Sequence, residues 1–204
     1  MILKIYPENP NEKSVQLVVD CLKKGGVIIC PTDTVYGFAC DIFNSKAIER
    51  ICRIKNINAK KANFSFICQD LSHLADFARV DNHVFKTMKR VLPGAYTFIL
   101  PAKSSVPDIF QSNKRTVGIR IPDNNIPREI VRILGNPIMS STVHTNEDII
   151  EYSTDPELMW EKYNGLVDMV VDGGFGGIET STVLDCTGSA IEVIREGKGN
   201  LAEI

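Results

Sequence analysis

The sequence has few of the features that mark a metal-binding or disulfide-bonded protein. It contains three histidines and six cysteines, and neither residue type occurs at a spacing typical of a metal site. No two cysteines form a C-x-x-C pair, and most lie inside apolar segments. This usage is typical of a reducing compartment, where free cysteine packs as a small hydrophobic side chain. We therefore expect a cytoplasmic protein without a metal site.

Long hydrophobic runs and an excess of one charge are also missing. No apolar run approaches the roughly 20 residues of a membrane-spanning helix, and the first residues are too mixed in character for a signal peptide. The 23 Lys and Arg residues nearly balance the 25 Asp and Glu residues, and the formal net charge is -2. We expect no membrane association, and binding to nucleic acid would depend on a local basic patch.

The motifs of several enzyme classes are absent as well. The chain has neither a G-x-x-x-x-G-K-[ST] phosphate loop nor a G-x-S-x-G nucleophile motif,. Its glycine-rich segment, residues 172–177, follows a predicted strand but does not open a helix, and is either a loop over a cavity or a wide turn. Since no covalent nucleophile is indicated, we assign no catalytic residue.

Apolar periodicity predicts alternating strands and helices along the whole chain. The predicted strands cover residues 2–6, 27–29, 63–68, 96–100, 116–122, 137–142, 166–171, 182–186 and 191–195. The predicted helices cover residues 11–24, 45–55, 71–77, 84–92, 128–134 and 156–163. No composition break, low-complexity linker or internal repeat divides the chain. The sequence therefore predicts an α/β (α+β) fold, a single domain of residues 1–204 in which helices flank a mixed sheet.

Polar side chains follow several of the predicted strands. Pro31 cannot continue a central ladder after the strand at residues 27–29, so the chain leaves the sheet there in a turn rich in hydroxyl groups. Taken singly, such residues are ordinary capping hydroxyls or surface arginines. Together they could line one cavity for a carboxylate or a phosphate. The candidates at the strand ends are Thr34, Arg120, Ser140, Ser141, Thr142, Ser181, Thr182 and Arg195.

The second predicted helix carries basic side chains on its polar face. Arg50 and Arg53 lie on this face, and Lys60 and Lys61 follow just beyond the helix. Such a run is either a solvated surface or the rim of a site that binds RNA or another anion.

Motifs along the chain resemble those of the YrdC/YciO family and occur in the same order. They are PTDTVYG at 31–37, the helix that ends in Lys55, LPG at 92–94, TVGIRIP at 116–122, STV at 181–183 with Asp185, and REG at 195–197. The resemblance extends from about residue 8 to about residue 200. Details such as CRIK at 52–55 are most similar to the YciO branch.

This resemblance implies a YrdC/RibB-like fold, in which a twisted mixed sheet flanked by helices encloses a large basic concavity. It also implies an activity, because one branch makes threonylcarbamoyl-AMP and pyrophosphate from L-threonine, bicarbonate and ATP for the modification of transfer RNA. ATP would be a substrate and would bring Mg²⁺. By motif, the threonine-binding residues would be Thr34, Arg120, Thr142 and Ser181. The nucleotide-binding residues would be Lys55, Asn63, Thr116, His144 and Arg195.

Three departures from the synthase branch bear on that activity. Synthases carry K-x-R after the second helix, whereas residues 55–57 read KNI here. The synthase S-A-N signature is TVH at residues 142–144, and Cys68 stands where synthases often have histidine. Losing one donor to the transition state can lower a rate by about 100- to 1,000-fold. The sequence therefore predicts weak synthase activity.

The leading hypothesis is a YciO-type protein that binds nucleotide or RNA and retains weak threonylcarbamoyl-AMP synthase activity. Three alternatives stay open. One is a fully active synthase in which Lys60 and Lys61 supply the missing positive charge. Another is a module that binds double-stranded RNA or transfer RNA and carries out no chemistry. The third is an enzyme of another adenylate or phosphate reaction that shares only the cavity.

Overall fold

A computed structural model of the protein describes residues 1–58, 62, 64–110, 115–143 and 150–204. Within these residues ten strands form one mixed sheet. The strands are β1 (Ile2–Lys4), β2 (Ile28–Cys30), β3 (Gly37–Asp41), β4 (Ser65–Ile67), β5 (Tyr96–Pro101), β6 (Thr116–Arg120), β7 (Ile138–Thr142), β8 (Met169–Asp172), β9 (Thr182–Asp185) and β10 (Glu192–Arg195). Their order across the sheet is β1-β8-β2-β3-β7-β4-β6-β5-β9-β10. Parallel and antiparallel neighbours are mixed along this order, as the sequence predicts.

Seven α-helices connect the strands within the described residues. They are α1 (Glu12–Lys23), α2 (Ser45–Ile54), α3 (Leu71–Leu74), α4 (Asn82–Val91), α5 (Asn125–Leu134), α6 (Glu151–Thr154) and α7 (Pro156–Tyr163). Helix α1 begins at Asn11, whose side chain accepts hydrogen bonds from the first turn, and α5 ends at Gly135 in the left-handed conformation,. None of these helices combines the length and the apolar character that crossing a membrane requires.

The sheet separates two hydrophobic clusters. On one face, α2, α3, α4 and α7 contribute buried side chains such as Ile51, Met88 and Met159. On the other face, α1 and α5 contribute residues such as Val18 and Ile130, which pack on β1, β8, β2, β3 and the near ends of β7 and β4. The two helices α1 and α5 therefore cover only part of this second face. No helix among the described residues packs on the rest of this face, toward β10.

The main difference from the sequence prediction is strand β3. The turn after Pro31 returns directly into Gly37–Asp41, which pairs antiparallel with β2, with Cys30 opposite Gly37. Sequence analysis missed β3 because its residues are buried on both faces, and a short apolar run without alternation does not distinguish a strand from a loop or a helix. The predicted strands at 63–68 and 166–171 are shorter in the structure, at Ser65–Ile67 and Met169–Asp172.

Candidate functional site

A cavity of about 930 Å³ lies on the part of the sheet that α1 and α5 leave uncovered. Seven neighbouring strands contribute to its wall, from β3 through β7, β4, β6, β5 and β9 to β10. The volume is in the range of pockets that hold a nucleotide-sized ligand. This cavity is therefore the candidate functional site.

The alternation of side chains along β6 explains why the wall is polar. Thr116, Gly118 and Arg120 line the cavity. Val117 and Ile119 belong to the hydrophobic cluster on the opposite face, although Val117 also borders the cavity. Successive side chains of a strand point to opposite faces of a sheet. Strand β6 thus contributes side chains to the hydrophobic core on one face and to the cavity wall on the other.

Small residues in register leave room for a ligand at the floor of the cavity. Ser65 on β4 lies opposite Ser140 on β7 and opposite Gly118 on β6. A Cβ atom at Gly118 would lie 3.2 Å from the Phe64 carbonyl oxygen. The floor therefore consists of two hydroxyl side chains and a glycine instead of the large apolar side chains found elsewhere in the sheet.

Arg120 is the buried charge at one end of this wall and is only 5% exposed. Its Nη2 donates to Asp33 Oδ1 at 2.9 Å and to Thr34 Oγ1 at 3.0 Å. Burial lowers the pKa of the guanidinium, while Asp33 opposes this by raising it and Arg195 lowers it further. The Arg120 Nε is the one buried side-chain nitrogen or oxygen in the described residues that has no hydrogen-bond partner. Arg120 lines the cavity, so a carboxylate or phosphate bound there could pair with its guanidinium group.

Asp33 holds this arginine in place. Its side chain is 7% exposed, and its second oxygen accepts a hydrogen bond from the Asp123 backbone N–H at 3.0 Å. Lys198 Nζ donates to the Asp33 carbonyl oxygen at 2.5 Å. The motif at residues 31–37 includes Asp33, but sequence analysis did not predict its pairing with Arg120.

A second arginine and two hydroxyl groups lie on the β5 and β9 side of the cavity. Ser181 Oγ is 2.8 Å from Thr97 Oγ1. The Arg195 guanidinium donates to the Ser181 carbonyl oxygen through Nη2 at 2.9 Å and through Nε at 3.3 Å. These bonds direct an otherwise exposed arginine toward the cavity. Thr97 was missed as a lining residue because it lies within a strand and not at its end.

Lys55 reaches the cavity from the end of α2. Its ammonium group donates to the Thr142 carbonyl oxygen and lies 6.0 Å from the centroid of the Phe38 ring. The lysine thereby places a positive charge beside the end of β7, on the side of the cavity opposite β10.

The cavity brings together eight of the residues predicted from the sequence. They are Lys55, Thr116, Arg120, Ser140, Ser141, Thr142, Ser181 and Arg195. Thr182 is fully buried and does not line the cavity. Thr34 is 1% exposed and does not line the cavity, but it contacts the site through Arg120. Asn63, His144, Lys60 and Lys61 lie outside the described residues. The binding role of each residue stays a prediction.

The two arginines of α2 do not line the cavity. Arg50 Nη1 forms an ion pair with Asp168 Oδ2 at 2.6 Å, and the same carboxylate oxygen accepts a hydrogen bond from the Val27 backbone N–H at 2.8 Å. Arg50 therefore has a partner that ties α2 to the start of β2. Arg53 is exposed on α2. Their predicted binding to RNA or another anion would take place outside the cavity.

The glycine-rich segment does not lie over the cavity. None of residues 173–177 is among its lining residues. Instead, the Tyr36 hydroxyl donates to the Gly174 carbonyl oxygen at 2.7 Å and accepts from the Gly173 N–H at 3.0 Å. Gly177 N donates to the Thr34 carbonyl oxygen at 2.9 Å. The sequence left open a loop over the cavity or a wide turn. These contacts favour a wide turn that packs against the residues from Thr34 to Tyr36 and holds them in place.

We expect the substitution Tyr36→Phe to destabilise the protein by about 1–3 kcal/mol, because it leaves the Gly173 N–H without its hydroxyl acceptor. Urea denaturation would measure this change in the free energy of unfolding. The matched control is Tyr6→Phe, since Tyr6 is 65% exposed and should tolerate the loss of its hydroxyl. Equal stabilities of the two variants would contradict the role given to Tyr36.

Comparison with known proteins supports the resemblance found in the sequence. The Sua5/YciO/YrdC family model, described as "Telomere recombination", matches residues 20–197. The YciO protein of Escherichia coli is 37% identical over 198 residues, which cover 97% of this chain and 95% of that protein. The crystal structure of E. coli YciO has a TM-score of 0.92 at 36% identity and covers 100% of this chain and 98% of its own.

A further relative bears on function. A putative threonylcarbamoyl-AMP synthase of Methanocaldococcus jannaschii is 32% identical over 201 residues, covering 96% of this chain and 92% of that protein. The predicted family and the predicted mixed α/β fold are thus confirmed. The chain belongs to the Sua5/YciO/YrdC family and is homologous to threonylcarbamoyl-AMP synthases.

Proposed function

We propose that the protein binds L-threonine and ATP in the cavity and forms threonylcarbamoyl-AMP at a low rate. The observation that carries this proposal is the buried Arg120, which lines the cavity and whose guanidinium is held in place by Asp33 and Thr34. A fixed guanidinium beside several hydroxyl groups suits the carboxylate and the polar groups of an amino acid. Homology to the synthase of M. jannaschii supports the same assignment.

In this proposal Arg120 holds the carboxylate of threonine, and the hydroxyl groups of Ser181 and Thr142 bind its remaining polar groups. Thr34 contributes by accepting a hydrogen bond from Arg120. Because Asp33 already neutralises much of the Arg120 charge, the second arginine, Arg195, adds to the attraction for an anionic substrate.

The nucleotide would occupy the rest of the cavity. Lys55, Thr116 and Arg195, which line it, would contact the phosphates and the ribose. By motif, Asn63 and His144 would contribute to the same binding. In the reaction, an oxygen of the threonine carbamate bonds to the α-phosphorus, and the bond from that phosphorus to the bridging oxygen breaks and releases pyrophosphate. Cationic side chains offset the negative charge that develops there. ATP would bring Mg²⁺ as its counterion.

The low rate follows from the side chain at position 57. Ile57 lines the cavity and is 36% exposed, where the synthase motif has an arginine. An isoleucine cannot donate a hydrogen bond or offset charge, so the transition state loses about 2.7–4 kcal/mol of stabilisation. We therefore expect activity about 100- to 1,000-fold below that of a synthase with the complete K-x-R motif.

Release of pyrophosphate, measured with L-threonine, bicarbonate, ATP and Mg²⁺, tests this proposal. We expect slow, threonine-dependent release that increases in the variant Ile57→Arg. The matched control is Leu17→Arg, which adds the same charge at a position on α1 that is 51% exposed and does not line the cavity. Wild-type turnover equal to that of a complete synthase would contradict the low rate. Absence of threonine-dependent turnover in both wild type and Ile57→Arg would contradict the reaction.

Binding of transfer RNA or double-stranded RNA is the second candidate function. The observation in its favour is Arg53, which is exposed on α2 outside the cavity and takes part in none of the ion pairs among the described residues. Such binding should weaken steeply as salt is added.

The six cysteines are all free thiols, which supports the proposal of a cytoplasmic location.

A further inference from the structure

We propose that a groove formed by Arg79, Lys103 and Arg115 is a second phosphate-binding site. The groove has a volume of about 440 Å³, and Ala102 and Ser104 complete its lining. It lies where β5 ends and β6 begins, outside the cavity described above. None of these residues was predicted from the sequence to bind a ligand, and the site does not depend on the reaction proposed for the cavity.

Backbone hydrogen bonds hold the three cationic residues together. Arg79 N donates to the Pro101 carbonyl oxygen, and Lys103 N donates to the Phe77 carbonyl oxygen, both at 2.9 Å. The Ala102 N–H donates to the Arg115 carbonyl oxygen, also at 2.9 Å. Three separate chain segments are therefore fixed side by side, and each one presents a positive charge to the same groove.

Among the described residues, no acidic side chain lines the groove to balance these charges. Its lining has no Asp or Glu, and none of the ion pairs among the described residues involves Arg79, Lys103 or Arg115. The Lys103 ammonium donates to the Ala75 carbonyl oxygen at 2.5 Å, which leaves it further donors. Three cations close together repel one another, so the arrangement is favourable when an anion binds between them.

Arg115 adopts a conformation that supports a binding role. Its φ of 48° lies in the left-handed region, where a non-glycine residue costs roughly 1–2 kcal/mol. Glycine would avoid this cost, but it would not supply a guanidinium group to the groove. The arginine at this position is therefore unfavourable for the backbone and favourable for an anionic ligand.

The chemistry of the groove matches phosphate. Arginine binds two phosphate oxygens through its planar fork, and lysine adds a point charge. The hydroxyl group of Ser104 can donate one further hydrogen bond. Four polar residues line the groove, and all of them are exposed: Arg79, Lys103, Ser104 and Arg115. An open groove of this kind suits the phosphate groups of an extended ligand better than it suits a small ligand that must be enclosed. Two sources carry this chemistry, the backbone of RNA and a small polyphosphate.

Titration of the full chain with a short labelled RNA and, separately, with inorganic tripolyphosphate tests the site. The test variant is Arg79→Gln/Arg115→Gly, whose glycine relieves the left-handed backbone. The control is Lys13→Gln/Lys24→Gln, which removes two exposed lysines at the ends of α1. If RNA is the ligand, its association constant falls as the salt concentration rises. We expect the test variant to reduce the magnitude of that slope, on logarithmic axes, by about 2. If a polyphosphate is the ligand, we expect the tripolyphosphate affinity to fall at least about tenfold, as for two charge-assisted contacts.

A loss in either titration that exceeds the loss in the control supports the site and identifies its source. If wild type binds neither probe, or if the test variant and the control lose equally, the proposal is wrong. Threonine-dependent release of pyrophosphate, measured on the same variants, should stay unchanged because neither arginine lines the cavity. Failure of this site is therefore distinguishable from failure of the function proposed for the cavity.

Discussion

Replacing Arg120 with glutamine is expected to abolish L-threonine binding and to destabilise the fold by about 3–5 kcal/mol, because it leaves the buried Asp33 carboxylate without its partner. The two side chains are 6% and 7% exposed and their charged atoms are 2.9 Å apart, so water cannot replace the guanidinium. Calorimetric titration with L-threonine and urea denaturation would measure the two effects.

A double variant separates these two effects. In Arg120→Gln/Asp33→Asn both charges are removed, and the amide groups can still hydrogen-bond to each other and to the Asp123 N–H. Replacing a buried ion pair by a neutral pair is often close to neutral in stability. We therefore expect the double variant to recover most of the stability but none of the affinity for threonine. Threonine binding at wild-type strength in a folded double variant would contradict the role proposed for Arg120.

The second large effect is expected for Gly197→Ala. A Cβ atom at Gly197 would overlap the Thr180 carbonyl oxygen and would lie 2.8 Å from the Ser181 carbonyl carbon. Both obstacles are backbone atoms, so the segment that contains Arg195 must move away from Ser181. We expect a loss of about 1–3 kcal/mol in the free energy of unfolding, as for other overpacked sites. Threonine-dependent release of pyrophosphate should fall in the same variant.

The matched control for this substitution is Gly188→Ala. A Cβ atom at Gly188 has one neighbour, the Ala190 carbonyl oxygen, at 4.0 Å, so the added methyl group fits without movement. Urea denaturation and the pyrophosphate assay should find this variant unchanged. If the Gly197 and Gly188 variants behave alike, the close approach of the two segments does not control the site.

Much of the local structure could be predicted from the sequence, because its causes lie within a few residues. The cap at Asn11 and the glycine at 135 mark the ends of α1 and α5,. The alternation from Thr116 to Arg120 predicts a strand with one apolar and one polar face. Motif order along the chain also predicted the family, which the comparisons confirm.

The partners of individual side chains could not be predicted in the same way. Asp33 and Arg120 are 87 residues apart in the chain, and Arg50 pairs with Asp168 at a separation of 118 residues. Periodicity indicates which face of its own element a residue occupies but not which element lies opposite. This is why sequence analysis selected Arg120 without identifying Asp33 as its partner, and why it did not predict the ion pair of Arg50.

The sequence by itself determined the family, the mixed α/β class and the polar faces of the strands, since these depend on motifs, periodicity and capping within short segments. Only the tertiary structure decided that seven strands share one cavity wall and that α1 and α5 stop short of covering it. The physical reason is that sheet order arises from long-range pairing, such as β5 with β9 and β4 with β6. No local pattern encodes these neighbours.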